Sequence, residues 1–126
     1  MKIDLDPLPI DQYYIESYSN GVITVNNEQY INSFIISPKK LIQDWPPVNF
    51  IDLATHHIQQ IISLQPEIII LGTGSSIHFP APELIAGIFE LDIGFEVMDT
   101  GAACRCYNLL VSEGRNVAAG LLMIPD

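Results

Sequence analysis

The chain has 126 residues, 48% of them hydrophobic, which is one domain's worth of sequence with enough apolar material for a core that needs no metal or disulfide staples. Asp and Glu number 15 against 5 Lys and Arg, a formal charge of −10 that repels phosphate backbones and anionic bilayers, so nucleic-acid binding and membrane insertion are not expected. Cys104 and Cys106 stand too close for an unstrained disulfide, and the start at Met1-Lys2-Ile3-Asp4 lacks the features of a signal or transit peptide, so a reducing, cytoplasmic setting is expected.

No internal repeat, low-complexity tract or charge block divides the chain, and residues 1–126 are expected to form a single domain. Tyr13 to Tyr18 and Val22 to Val25 read as a β-hairpin about Ser19-Asn20-Gly21, with Asn-Gly supplying the positive φ of a tight turn. A second turn at Asn26-Asn27-Glu28 leads to Gln29-Tyr30-Ile31. Ser33 to Ile36 reads as a further strand, stopped by Pro38. After Pro46 and Pro47, Asn49 and Asp52 predict the start of a helix running to about Gln65, with Ala54, Ile58, Ile61 and Ile62 on its apolar face.

Pro66 ends that helix, and the unalternating run Glu67 to Leu71 predicts a strand covered on both faces. Pro82 opens a second amphipathic helix reaching Leu91, with Leu84, Ile85 and Ile88 inward. Gly94 to Met98 reads as a strand. Asp99 or Thr100 caps a third helix, predicted to bury Ala103, Cys106, Tyr107, Leu110 and Val111 and to stop at Gly114. Val117 to Ile124 is the last strand. Strand, helix, strand, helix, strand in this half predicts right-handed parallel crossovers, and the whole predicts an α/β sheet with an N-terminal β-hairpin layer attached.

Several groups of residues bear on chemistry. Gly72-Thr73-Gly74-Ser75-Ser76 leaves the carboxyl end of a buried strand, where ligands settle in open α/β sheets. Its spacing fits neither the dinucleotide nor the phosphate-loop pattern, so it is either a structural turn or a ligand loop. Asp99-Thr100-Gly101 matches the triplet of retroviral-type aspartic proteases, but the chain ends 27 residues after Asp99 and the spacing that follows is helical, so capping is expected. Cys104 and Cys106 point about 200° apart on a helix and cannot share a metal, and no further cysteine exists to complete a zinc set. Cys106 is expected in the core and Cys104 on the helix flank, inert or as an activated thiol. His56 is expected in solvent, His57 beside the core, and His78 can face the same cleft as the glycine run. Arg105, one of two arginines, lies opposite the predicted apolar stripe and is a candidate for an anion, a partner or a surface ion pair.

The carboxyl half carries a resemblance. Leu71-Gly72-Thr73-Gly74, the block Glu96-Val97-Met98-Asp99-Thr100-Gly101-Ala102-Ala103-Cys104-Arg105, Tyr107-Asn108-Leu109-Leu110 and Glu113-Gly114-Arg115-Asn116-Val117-Ala118-Ala119 make the chain similar to the Mth-type domain-of-unknown-function family. That family includes bacterial and archaeal proteins without assigned activity and a mitochondrial assembly factor for respiratory complex I. The resemblance implies a three-layer α/β fold with a central mixed sheet of about five strands, flanking helices and an extra β layer, and it supplies no catalytic residue. Cys106 stands where a threonine is expected in the family pattern.

With no nucleophile paired to a base, no metal cluster and no cofactor fingerprint in the sequence, the expectation is a non-enzymatic binding or assembly module with a protein partner and no cofactor. The alternative is a small-molecule enzyme or a binder of an acidic ligand, using the cleft of the glycine loop Gly72 to Ser76 with Asp99 and Arg105. The candidate binding residues are Gly72, Thr73, Gly74, Ser75, Asp99 and Arg105.

Overall fold

The computed structural model describes residues 1–3 and 11–125. The single-domain expectation for 1–126 and the Asp4-Leu5-Asp6 opening extend beyond these residues. Three antiparallel strands come first: β1 (Ile15–Ser19), β2 (Val22–Val25) and β3 (Glu28–Tyr30). Two-residue loops join them. Asn26 and Asn27 both take positive φ, 45° and 72°, the primed turn that matches the strands' twist and that Asn tolerates best among residues with a Cβ.

β4 (Phe34–Ile36) and the short β5 (Leu41–Ile42) then begin a second sheet, completed by β6 (Ile68–Thr73), β7 (Gly94–Met98) and β8 (Val117–Leu122). Its order is β5-β4-β8-β6-β7. β6 runs parallel to both β7 and β8, while β4 is antiparallel to β8 and β5 to β4, so the sheet is mixed. Both faces of β6 are covered, as its run of β-branched residues predicts; Ile69, Ile70 and Leu71 are fully buried.

Helices α1 (Thr55–Ile62) and α2 (Pro82–Glu90) cover one face over Trp45, Ile58, Ile61, Ile69, Leu71 and Ile88. The other face packs against α3 (Thr100–Ser112), and the three-stranded sheet closes over the same core through Ile15, Tyr18, Ile23 and Val25. The result is three layers with a mixed five-stranded sheet in the middle, the α/β fold with an N-terminal β layer that the sequence predicts.

Two elements differ from expectation. The helix predicted from Asn49 is split: Phe50–Asp52 forms a single 3-10 turn, Leu53 turns extended at φ −68°, ψ 128° to bury its side chain, and α1 begins only at Thr55. Asn49 and Asp52 cap the 3-10 turn instead, with the Asn49 N–H donating to the Asp52 carboxylate at 3.0 Å. The N-cap of α1 is Ala54, whose N–H donates to Nδ1 of His57 in the first turn at 3.0 Å.

The buried arc of α3 is also rotated. Ala103, Tyr107 and Val111 are buried as expected, but Cys104 and Asn108 are buried with them, whereas Cys106 and Leu110 are only half-buried. The expectation that Cys106 is core and Cys104 a flank residue is therefore corrected. The helix touches both sheets, β6 and β8 of one and β1 of the other, so its buried arc is wider than a single apolar stripe. Asn108 fits that arc by binding the β1 backbone: its Oδ1 accepts the Ile15 N–H at 2.9 Å and its Nδ2 donates to the Ile15 carbonyl at 2.7 Å.

Candidate functional site

The parallel order places the carboxyl end of β6, the start of α3 and the end of β8 side by side. Thr100 ties the three together. Its N–H donates to the Gly74 carbonyl at 2.8 Å, its hydroxyl accepts the Gly74 N–H at 2.8 Å, and the same hydroxyl donates to the Leu122 carbonyl at 2.6 Å. The parallel strand order thus sets the glycine turn beside the Asp99 helix start. Gly72 is the close approach within it: a Cβ there would stand 3.0 Å from the Ala103 Cβ and the Thr100 hydroxyl. Thr73 holds the rest of the loop, its hydroxyl donating to the Ser76 carbonyl at 2.6 Å and accepting the His78 N–H at 3.1 Å. These N–H groups are engaged within the protein, which accounts for the loop as a built turn, with Ser75 and Ser76 left exposed.

Asp99 is the N-cap of α3: its Oδ1 accepts the Ala102 N–H at 2.9 Å, and its charge suits the helix N-terminus. Arg105 is placed elsewhere. It is exposed, its guanidinium donates a short hydrogen bond to the Tyr18 hydroxyl, and its Cζ lies 5.8 Å from the Tyr18 ring centroid. Gly101 makes room for that ring; a Cβ at this position would come within 2.8 Å of Tyr18 Cε2. The structure therefore brings Gly72, Thr73, Gly74 and Ser75 into one turn beside Asp99 and sets Arg105 on β1.

A cleft of about 320 Å³ opens at this end of the sheet, lined by Thr73, Gly74, Ser75, Ser76, Asn49 and His78 together with apolar Phe50, Leu122 and Met123. Asp99 and Arg105 do not line it. The His78 ring stacks on Phe50, centroids 5.2 Å apart. Val48 and Ile51, which line the cleft, are 68% and 88% exposed, and Ile77 and Phe79, on either side of His78 in sequence, are 47% and 73% exposed. The sequence does not single these residues out, since Val48 to Ile51 and Ile77 to Phe79 are 26 or more residues apart and only the stacking of His78 on Phe50 joins the two segments.

A larger cleft, about 470 Å³, lies at the opposite end of the sheet and holds Lys39, Lys40 and Arg115, three of the five cationic residues. Lys39 pairs with Asp11 at 2.8 Å and Arg115 with Glu67 at 3.0 Å. The carboxyl ends of α1 and α3 also point here, where cations answer the helix dipoles, and both ion pairs stand in solvent.

Of the titratable groups, His57 is held below the usual imidazole range, first by burial and then by the neighbouring His56. Burial pushes the Cys104 thiol up to about 12, which keeps it protonated at neutral pH and removes it as a nucleophile. Burial also pushes the half-buried Cys106 thiol up. Among the described residues, no helix is long and apolar enough to cross a membrane.

Comparison with known proteins agrees with this architecture. A family model described as a protein of unknown function (DUF498/DUF598) matches residues 15–122. The NADH dehydrogenase [ubiquinone] 1 alpha subcomplex assembly factor 3 of Xenopus tropicalis is 30% identical over 111 residues, covering 86% of this chain and 60% of that protein. The chain thus spans less than two thirds of that relative's length. A 13 kDa major membrane protein of Francisella tularensis is 30% identical over 106 residues, 83% of this chain and 86% of the relative. Among solved structures, a Bordetella pertussis protein described as an Mth938-like domain superposes with a TM-score of 0.83 at 27% identity, covering 100% of this chain and 94% of that one.

Proposed function

We propose, from the premise that this chain belongs to the DUF498/DUF598 family of proteins of unknown function, that it works by holding a protein partner and not by turnover, as an assembly module linked to respiratory complexes in the way its relative's name describes. Residues 1–126 act as one binding unit in this proposal, in the cytoplasm, where two thiols stay reduced. The observation that carries the proposal is the exposure of Val48 and Ile51 on the Phe50–His78 cleft together with that of Ile77 and Phe79 on either side of His78, because exposed apolar side chains close to one another mark interaction sites. Thr73, Gly74 and Ser75 line that cleft, in the turn that starts at Gly72 and that Thr100 ties to the Asp99 cap of α3. On α3, Arg105 and the exposed Leu109 offer a second contact of the Arg-with-apolar kind common at interface cores.

Turnover is disfavoured by what the polar groups already do. The hydroxyls of Thr73 and Thr100 are committed to carbonyls, Asp99 caps a helix and the Cys104 thiol is buried and protonated. The test is affinity capture from a cell extract with the wild-type chain and with an Ile51→Ser, Phe79→Ser double variant. A protein retained by the wild type and lost by the variant, with unchanged melting temperature, is the expected result. Equal capture by both would remove this end of the molecule from the proposal.

A further inference from the structure

The strand order leaves β7 at the edge of the five-stranded sheet, and among the described residues nothing pairs with its outer side. The direction of its backbone groups follows from one bond. Gly94 N–H donates inward, to the Glu67 carbonyl at 3.0 Å, so the alternation of a strand turns the N–H and C=O of Phe95 and Val97 outward. The strand is five residues long, and its pairing with β6 runs without a bulge. Proteins shield such edges with bulges, prolines or charged side chains, lysine above all. β7 has no bulge, proline or lysine, and the exposed Glu96 is its one charged residue.

The two faces beside this edge differ in chemistry. On the α2 side, the half-buried Phe95 and Val97 meet the exposed Phe89, whose ring stands edge-on to Phe95 at 6.3 Å. Glu96 faces the other side, towards α3, where its charge raises the Cys106 pKa. No Lys or Arg occurs anywhere from Leu41 to Cys104, so the acidic neighbours Glu90, Asp92 and Asp99 meet no cation on α2, β7 or the turn between them. A second copy of this chain is the wrong occupant: two-fold pairing centred on Glu96 would set Glu96 opposite Glu96, between two chains of charge −10.

We infer that β7 is a docking edge for an extended segment of a partner protein, one that adds a sixth strand with apolar side chains on the Phe89–Phe95 side and Lys or Arg on the Glu96 side. Main-chain bonds to Phe95 and Val97 supply the fit, and the alternating side chains supply selectivity. The inference takes up the reading of this chain as a partner-holding protein, but it uses a different surface from the Phe50–His78 end.

The test uses the purified chain and a ten-residue capped peptide of alternating valine and lysine, followed by backbone amide NMR, with a valine–glutamate peptide as control. The lysine peptide is expected to shift the Phe95, Glu96 and Val97 resonances and slow amide exchange at Phe95 and Val97, and the glutamate peptide to bind at least tenfold more weakly. Val97→Pro removes one outward donor without touching the β6 ladder and is expected to weaken binding tenfold or more. Should that variant fold poorly, Glu96→Lys answers the same question by reversing the preference between the two peptides. Equal binding of both peptides, shifts confined to residues away from β7, or a dimer of the free chain by light scattering would overturn the inference. Loss of capture at Ile51 and Phe79 with no peptide response at β7 would sink this inference alone, and the converse would sink only the proposed function.

Discussion

Asn108→Ala should be the most damaging single polar substitution in this protein. Asn108 is 1% exposed, and its amide makes two bonds to the Ile15 main chain, one accepted at 2.9 Å and one donated at 2.7 Å. Ile15 is itself fully buried, at the point where the β1–β2 register shifts, so neither its N–H nor its C=O has water as a substitute. Leaving two buried backbone groups unpaired costs about 1–3 kcal/mol each, and a small cavity adds to this. The sum, about 2–6 kcal/mol before the cavity, is a large share of the roughly 5–15 kcal/mol that holds a domain of this kind. Thermal and urea unfolding of the purified variant measure it, with a fall in melting temperature on the order of 10 °C expected. Asn108→Asp should recover part of the loss at pH 4 relative to pH 7, because a neutral carboxyl can both accept from the N–H and donate to the carbonyl while a buried carboxylate cannot. A cost below about 1 kcal/mol for Asn108→Ala would refute the reasoning, since it would mean that Ile15 finds other partners.

Gly101→Ala should lose about 1–3 kcal/mol, because its Cβ would stand 2.8 Å from the Tyr18 ring. Gly87→Ala, also helical but facing the movable end of Gln59 at 3.2 Å, should be neutral or gain a few tenths up to about 1 kcal/mol; denaturant titration of the two variants separates close approach from helix propensity. His57 has a lowered folded-state pKa, so the unfolded chain binds more protons near pH 6.5; stability should be full above that value and fall as pH drops from 7.5 towards 5.5, and His57→Gln should flatten the slope seen by thermal melting at stepped pH. Cys106 should be alkylated in the native protein well before Cys104, as followed by intact-mass spectrometry, because Cys104 is fully buried with its pKa pushed up to about 12.

The parts of the fold legible in the sequence are those that local chemistry decides. Asn-Gly and Asn-Asn place the two hairpin turns, Pro82 opens α2, and the β-branched run before Gly72 places a strand inside a parallel sheet. The adjacency of the glycine turn and the Asp99 cap follows from strand order, and the Thr100 bonds to Gly74 occupy it. What was hidden depends on contacts distant in sequence. Asn108 is read as a polar residue on a helix until β1, 93 residues away, lies against it. The stripe of α3 could be set against one sheet from its spacing, but not against two. Leu53 interrupts the first helix for the sake of a buried side chain that only the assembled core defines. Arg105 was legible as an outward cation, though its partner is the Tyr18 ring and not a carboxylate.

The claim that this chain binds and does not turn over is tested most directly by one paired measurement. The protein captured by the wild-type chain is purified and mixed with it at micromolar concentration, and the mass of the complex is read by light scattering, beside a panel of hydrolase, transferase and oxidoreductase assays on the same sample. The account predicts a stable complex of defined stoichiometry that is lost with the Ile51→Ser, Phe79→Ser variant, and no activity. Reproducible turnover that disappears in Asp99→Asn or Arg105→Ala, with no complex formed, would contradict it.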